Sequence, residues 1–263
     1  MTLPGHRGRT VADVRDTSAR SAPGLGGPNG TGETRQLAGG LLPFGGAQRG
    51  TALADTPVLL SDPRVSAVPV RDVGEPLTEL DESFGHSRAL VRASVARRLV
   101  LARDELPQGV GLRVIAGYRT AAAQSVIISS YSAGLRMAHP AIGAAELERL
   151  TSRFVAPLAV APHVAGAAVD LTLVDSGGRE LDLGTPVDAT PEQSEGACYF
   201  DAPQVSGPAR ADRDLLARVL LGAGLVNYPT EWWHWSYGDR YWALMTGAPA
   251  ALYGPVAGDR VAG

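Results

Sequence analysis

Two short stretches of this chain hold the residue types that metal-assisted hydrolysis needs. The first, Pro162-His163-Val164-Ala165-Gly166-Ala167-Ala168-Val169-Asp170, ends on an acid set within an apolar run. A lone buried carboxylate is costly unless it is paired or bound to a metal, and no arginine between Arg153 and Asp170 offers a local partner. The small residues between His163 and Asp170 let the chain turn tightly enough to bring both side chains to one point. As a bare spacing this fits a metal site and an internally paired acid alike. The second stretch, Glu231-Trp232-Trp233-His234-Trp235, reads either as an aromatic core strand with a polar edge or as one wall of a site. Glu231 and His234 are an odd number of residues apart, so a regular strand turns them to opposite faces. They share a site only if the strand begins at His234 or a bulge lies between them, and Pro229-Thr230 makes an irregular entry reasonable. Three tryptophans around one histidine would build a dry wall, where electrostatic interactions strengthen.

Taken together, His163, Asp170 and His234 offer two imidazoles and one carboxylate. Catalytic zinc uses such a set, three protein ligands with a position left for a water whose pKa falls to roughly 7. Glu231 would remain free to take the water's proton and pass it to a leaving amine. Arg119, closing Val114-Ile115-Ala116-Gly117-Tyr118-Arg119, is a candidate cation for the charge of a tetrahedral intermediate, or an ordinary surface arginine. His6, His86 and His139 lie in loop-like sequence and read as solvated. The single Cys198 allows no internal disulfide, excludes a four-thiolate zinc site or an iron–sulfur cluster, and reads as a small buried hydrophobe.

The elements that must position these residues begin near residue 56. Residues 1–55 form a Gly/Pro/Arg-rich extension, with 12 of the chain's 32 glycines in the first fifty residues; ordering it costs backbone entropy with little burial to offset it, so it is expected to be disordered. One domain is expected over 56–255, with a tail over 256–263. Short extended pieces are expected at 58–60 and 65–70, an amphipathic helix over 87–105 ended by Pro107, a strand over 112–117, and helices over 121–136 and 146–155. Residues 167–174 alternate, with Val169, Leu171 and Leu173 on one face and Asp170 and Thr172 on the other. A helix over 212–221 and two strands over 231–237 and 241–245, joined across Gly238-Asp239, complete the reading. Helices and strands mix without regular βαβ spacing, so the fold class is α+β, a single domain with a central, mainly antiparallel sheet flanked by helices.

Composition sets outer bounds. A net charge of -3 over 263 residues gives no general field for nucleic acid or anionic membranes. The 24 basic residues are all arginine. No apolar run approaches the ~20 residues of a membrane helix, and no secretory signal pattern is seen at the N-terminus, so a cytoplasmic location without nucleic-acid partner or membrane insertion is expected.

Gly117-Tyr118-Arg119, His163-x-x-Gly166-x-Ala168-x-Asp170 and Glu231-Trp232-Trp233-His234 occur in an order and rough spacing similar to the D-alanyl-D-alanine dipeptidases, the VanX-type zinc peptidases of the wider D-Ala-D-Ala carboxypeptidase and hedgehog-like superfamily. The resemblance runs from about Leu59 to Pro255. It implies one zinc ion held by His163, Asp170 and His234, Glu231 as catalytic base, Arg119 steadying the scissile carbonyl, and D-alanyl-D-alanine as substrate. It also implies that Asp188, in Gly184-Thr185-Pro186-Val187-Asp188, pairs with the substrate's ammonium group; read alone, Asp188 is a turn or cap residue. Two positions depart from the pattern. Ala161 stands where the superfamily often has serine, and Val187 where an aromatic is frequent, which bears on substrate preference and leaves the zinc chemistry untouched. The rival expectations are a zinc D,D-carboxypeptidase acting on peptidoglycan peptides and a non-catalytic zinc-bearing protein of the same fold.

Overall fold

The alternation of residues 168–175 decides the architecture, because it gives one strand two different faces. In the computed structural model, which describes residues 57–257, this strand lies within a four-stranded antiparallel sheet. Its members are β3 (Val110–Ala116), β4 (Ala168–Asp175), β5 (Val226–Tyr228) and β6 (Glu231–Ser236), in the order β3-β4-β6-β5. A separate two-stranded ribbon pairs β1 (Leu77–Glu79) with β2 (Leu90–Arg92). The helices are α1 (Pro63–Ala67), α2 (Ala93–Asp104), α3 (Ala121–Ala138), α4 (Ala144–Thr151), α5 (Gly207–Gly222) and α6 (Arg240–Thr246). This is the expected α+β arrangement of an antiparallel sheet flanked by helices. The expected extension, with His6, and residues 258–263 of the tail lie outside the described residues.

Val169, Leu171 and Leu173 face the main core, where α2 and α5 pack against each other and supply Val95, Leu99, Leu216 and Leu220. Cys198 is fully buried in the same cluster. Asp170 and Thr172 therefore turn to the opposite face and are buried there as well. A second, smaller cluster of Leu60, Val65, Val160, Tyr228 and Tyr241 closes part of that side.

Three expectations are corrected. Residues 241–245 form helix α6, not a strand, because the Asp239 side chain accepts hydrogen bonds from the N–H groups of Tyr241 and Trp242 and so caps a helix. Residues 65–70 are not extended throughout: Asp62 caps α1 and Pro63 occupies its first turn, a position where proline's missing N–H costs nothing. The helix expected over 87–105 starts only at Ala93, since Leu90–Arg92 pair with Leu77–Glu79. The strand at 110–116 and the helices at 121–138, 144–151 and 207–222 fall where the patterning put them, with shifted ends.

Candidate metal centre

Two strands, one tight turn and two loop segments carry the candidate residues. In the β4–β6 pairing Asp170 lies directly opposite His234, so their side chains emerge side by side on one face. Asp170 also neighbours Ala116 across β3, where the register slips between Val114 and Ala116. That irregularity redirects the end of β3, and Gly117-Tyr118-Arg119 leaves the sheet over the site. His163 comes from a 3-10 turn over Pro162–Ala165 that ends on Gly166 in the left-handed region at φ 65. A side chain on Gly166 would strike Leu77, and one on Gly117 would come within 2.5 Å of the Leu90 carbonyl oxygen. Glycine is therefore required at both positions. The two segments are tied together: His163 Nδ1 lies 2.7 Å from the Gly117 carbonyl oxygen, and the Arg119 N–H donates to the His163 carbonyl at 3.1 Å.

The bulge that an odd separation demands is present in the β5–β6 pair. Asn227 faces Trp235, whereas the adjacent Tyr228 faces Glu231, so the register jumps between them. The Asn227 amide donates to the carbonyls of Glu231 and His234, each at 3.0 Å, and to Trp232 at 3.4 Å. It holds together the looped-out backbone that brings Glu231 and His234 to one face. Glu231 Oε2 ends 3.8 Å from His234 Nδ1. Only one of the three expected wall tryptophans, Trp233, lines the resulting cavity. Trp232 and Trp235 point into the core, donating to Thr185 Oγ1 and to the Trp232 carbonyl.

His163 Nε2 lies 3.1 Å from Asp170 Oδ2 and 3.2 Å from His234 Nδ1, and His234 Nδ1 lies 3.1 Å from Asp170 Oδ1. One ligand atom from each residue falls within 4.8 Å of the others. A carbonyl oxygen can only accept, so His163 Nδ1 carries the proton in that bond. In the neutral form of that tautomer, Nε2 presents a lone pair toward the other two groups. Lone pairs aimed at a single point in a buried place repel unless a cation lies among them, and the donor set of two imidazoles and one carboxylate suits zinc. A carbonyl partner on the far ring nitrogen of His163 is also what orients a metal-binding imidazole.

Burial works against ionisation of Asp170, but the charge and hydrogen bonds of His163 and His234 outweigh it and hold the carboxyl well below its ordinary range. Burial pushes His234 down, toward the neutral ring that binds metal. Glu231 is raised well above the usual carboxylate value, first by burial, then by the negative charges of Asp170 and Asp188; Arg119 opposes the shift. Asp188 stands exposed at the rim, in the left-handed region at φ 64. Its carboxyl is raised by desolvation and by Asp170, with Arg119 again opposing.

Arg119 reaches toward Asp170, with Nη2 4.0 Å from Oδ2, and donates through Nη1 to Gln124 Oε1 at 3.1 Å. Gln124 is buried in the first turn of α3 and donates to the Ala156 carbonyl at 2.9 Å. It thus fixes the guanidinium. Gln124 and Tyr228 are site residues that the motifs do not reveal. The Tyr228 hydroxyl donates to the Ser152 carbonyl and accepts from the Leu60 N–H, which fastens a ring lying edge-on to the His234 imidazole, 6.1 Å between centroids. A five-residue step from Arg119 to Gln124 across a helix start was available as a signal; nothing local points to Tyr228.

All six candidates, His163, Asp170, His234, Glu231, Arg119 and Asp188, line one cavity of about 220 Å³, together with Gln124, Ala161 and Tyr228. Val187 packs against the core instead. Among the described residues no other group of three or more histidine, cysteine, aspartate or glutamate side chains is placed to hold a metal, and no helix is long and apolar enough to cross a membrane.

The model of peptidase family M15, D-ala-D-ala dipeptidase, matches residues 79–246, a span that contains all six candidates. A D-alanyl-D-alanine dipeptidase of Synechocystis sp. is 26% identical over 216 residues, covering 67% of this chain and 87% of that protein. A D-alanyl-D-alanine dipeptidase of Escherichia coli is 40% identical over 72 residues, 27% of this chain and 35% of the relative. Among solved structures, VanYB in complex with D-alanine-D-alanine aligns at 17% identity and a TM-score of 0.41, over 70% of this chain and 93% of that one. With the M15 model spanning most of the chain, this protein belongs to the D-ala-D-ala dipeptidase family of metallopeptidases.

Proposed function

We propose that this protein is a zinc dipeptidase that hydrolyses D-alanyl-D-alanine to two D-alanines. The observation that carries the reading is the convergence of His163 Nε2, His234 Nδ1 and the Asp170 carboxylate, with the Glu231 carboxyl group 3.8 Å from His234 Nδ1. The surrounding cavity, about 220 Å³, is smaller than the roughly 300–1,000 Å³ of sites built for drug-sized ligands and suits a substrate of two small residues.

His163, Asp170 and His234 would hold one zinc ion. Zinc bound there supplies Lewis acidity, acidifying a water and polarising the scissile carbonyl. Glu231 accepts the proton of the attacking water and returns it to the leaving amine. Its carboxyl, raised by burial and by the charges of Asp170 and Asp188, is suited to holding and releasing a proton in that exchange. Arg119, held by Gln124, lies on the same cavity and steadies the negative charge that develops on the carbonyl oxygen. Asp188 at the rim anchors the free ammonium group, which distinguishes a dipeptide from a peptide whose amine is acylated.

The test compares hydrolysis of D-Ala-D-Ala, L-Ala-L-Ala and N-acetyl-D-Ala-D-Ala, with and without a chelator, in the wild-type chain and in Glu231→Gln. The expected result is turnover of the first substrate alone, abolished by chelation, restored by zinc, and reduced about 10²–10⁴-fold in the variant with zinc still bound. Preference for the acetylated substrate, or activity indifferent to chelation, refutes the assignment.

A further inference from the structure

The catalytic cavity is backed by a second, apolar one. A groove of about 620 Å³ runs along the outer side of α3, lined among others by Val126, Tyr131, Leu135 and Glu192. Only two side chains line both spaces, Ile127 of α3 and Phe154 of the turn after α4. Each is half-buried, as expected of a thin wall with space on both sides. The wall is also buttressed. The Tyr131 ring packs on Phe154 with centroids 5.0 Å apart. The Tyr131 hydroxyl donates to Glu192 Oε2 at 2.6 Å, and Arg153 donates to Glu192 Oε1 at 2.5 Å. Burial is the first cause of the upward shift of the Tyr131 hydroxyl, which therefore stays a donor at neutral pH. Glu192 lies four residues beyond Asp188 on the same loop, so one buttress fixes both the partition and the segment bearing the rim carboxylate.

We infer that Ile127 and Phe154 are specificity-determining residues: they form a partition that confines the substrate to small side chains, and removing it joins the 220 Å³ cavity to the apolar groove behind. The inference deepens the dipeptidase reading above and rests on it. The wall, rather than any polar contact, excludes D,D-dipeptides with a large apolar residue, because an uncompressed aromatic side chain cannot share the space that Phe154 fills.

The experiment measures kcat/KM for D-Ala-D-Ala, D-Ala-D-Phe and D-Phe-D-Ala in the zinc-loaded wild-type chain, in Phe154→Ala and in Ile127→Ala. Wild type is expected to favour D-Ala-D-Ala over both bulky isomers by at least ~100-fold. Each truncation is expected to raise the relative kcat/KM of at least one bulky isomer by ~10-fold or more, the scale on which pocket volume discriminates apolar groups. Ile127→Ala keeps the test decisive if Phe154→Ala does not fold. Ratios unchanged in the folded variants, or wild type accepting the bulky isomers as readily as D-Ala-D-Ala, overturn the partition while leaving the dipeptidase reading in place. A wild-type chain inert toward D-Ala-D-Ala overturns the reading and the partition with it.

Discussion

Asn227 touches only the backbone of Glu231, Trp232 and His234 and none of the candidate ligand atoms, yet the geometry makes the site depend on it. Its amide nitrogen has two hydrogens and serves three carbonyls, at 3.0, 3.0 and 3.4 Å. The longest of these is shared with the Trp235 indole, which donates to the same Trp232 oxygen at 3.1 Å. Asn227→Ala therefore deletes two full hydrogen bonds, worth about 1 kcal/mol each, or about 2 kcal/mol in all. For a domain of this size each kcal/mol moves Tm by about 2–4 °C, so thermal melts should fall by about 4–8 °C. The larger effect is expected on catalysis. Without the amide, the backbone between Glu231 and His234 relaxes toward the regular alternation that separates them, and the 3.8 Å spacing is lost. Turnover of D-Ala-D-Ala at a temperature where the variant is fully folded should fall by about 10–100-fold, since misplacement of about 1 Å costs about 10² in rate. Unchanged kcat with the predicted loss of Tm would show that strand pairing alone maintains the bulge, and would refute the assignment of Asn227 as its keeper.

Two further outcomes follow from buried polar contacts. Gln124→Leu deprives the Arg119 guanidinium of its acceptor and the Ala156 carbonyl of its donor. A hydrogen bond to a charged group is worth about 1.5–3 kcal/mol, so kcat should fall roughly 10–100-fold with zinc content unchanged, measured by steady-state kinetics and metal analysis; loss of zinc instead would show that Gln124 supports the metal residues. Glu75 sets an acid limit on stability. Burial alone would raise its carboxyl, but hydrogen bonds from Tyr253, from the Ser94 N–H and hydroxyl and from Arg97 bring it down to about 2. A depressed carboxyl stabilises the fold fully above its ordinary value of 4.5 and loses that contribution as pH falls toward 2. With partial solvent screening the loss is about 1–2 kcal/mol. Urea melts at pH 5 and pH 3 should show it in the wild type and not in Glu75→Gln; equal losses in both would remove Glu75 from the account.

The candidate site was legible because each of its groups stands in a short local motif, and the fold class because β4 alternates so plainly. Val169, Leu171 and Leu173 enter the core, which leaves Asp170 no option but the other face. What misled was local apolar composition. Tyr241 to Met245 reads as a strand after a glycine turn, yet the deciding residue is Asp239, whose carboxylate takes two N–H groups and starts a helix. The same holds at Asp62-Pro63, where cap and first-turn proline outvote the β-branched valines that follow. The residues that support the site were hidden for a different reason. Tyr228 and Phe154 act through partners 168 and 23 positions away, and Gln124, though it also bonds the nearby Arg119, is anchored 32 positions away; no local period records such long distances. Glu231 and His234 show where the limit lies. Their odd separation permits two answers, opposite faces or a bulge, and nothing within the motif chooses between them. The choice is made by Asn227 on the neighbouring strand, whose side chain bonds the backbone of the motif. A sequence states which groups can react; whether they meet depends on a residue whose own type, an asparagine in a short strand, names no chemistry at all.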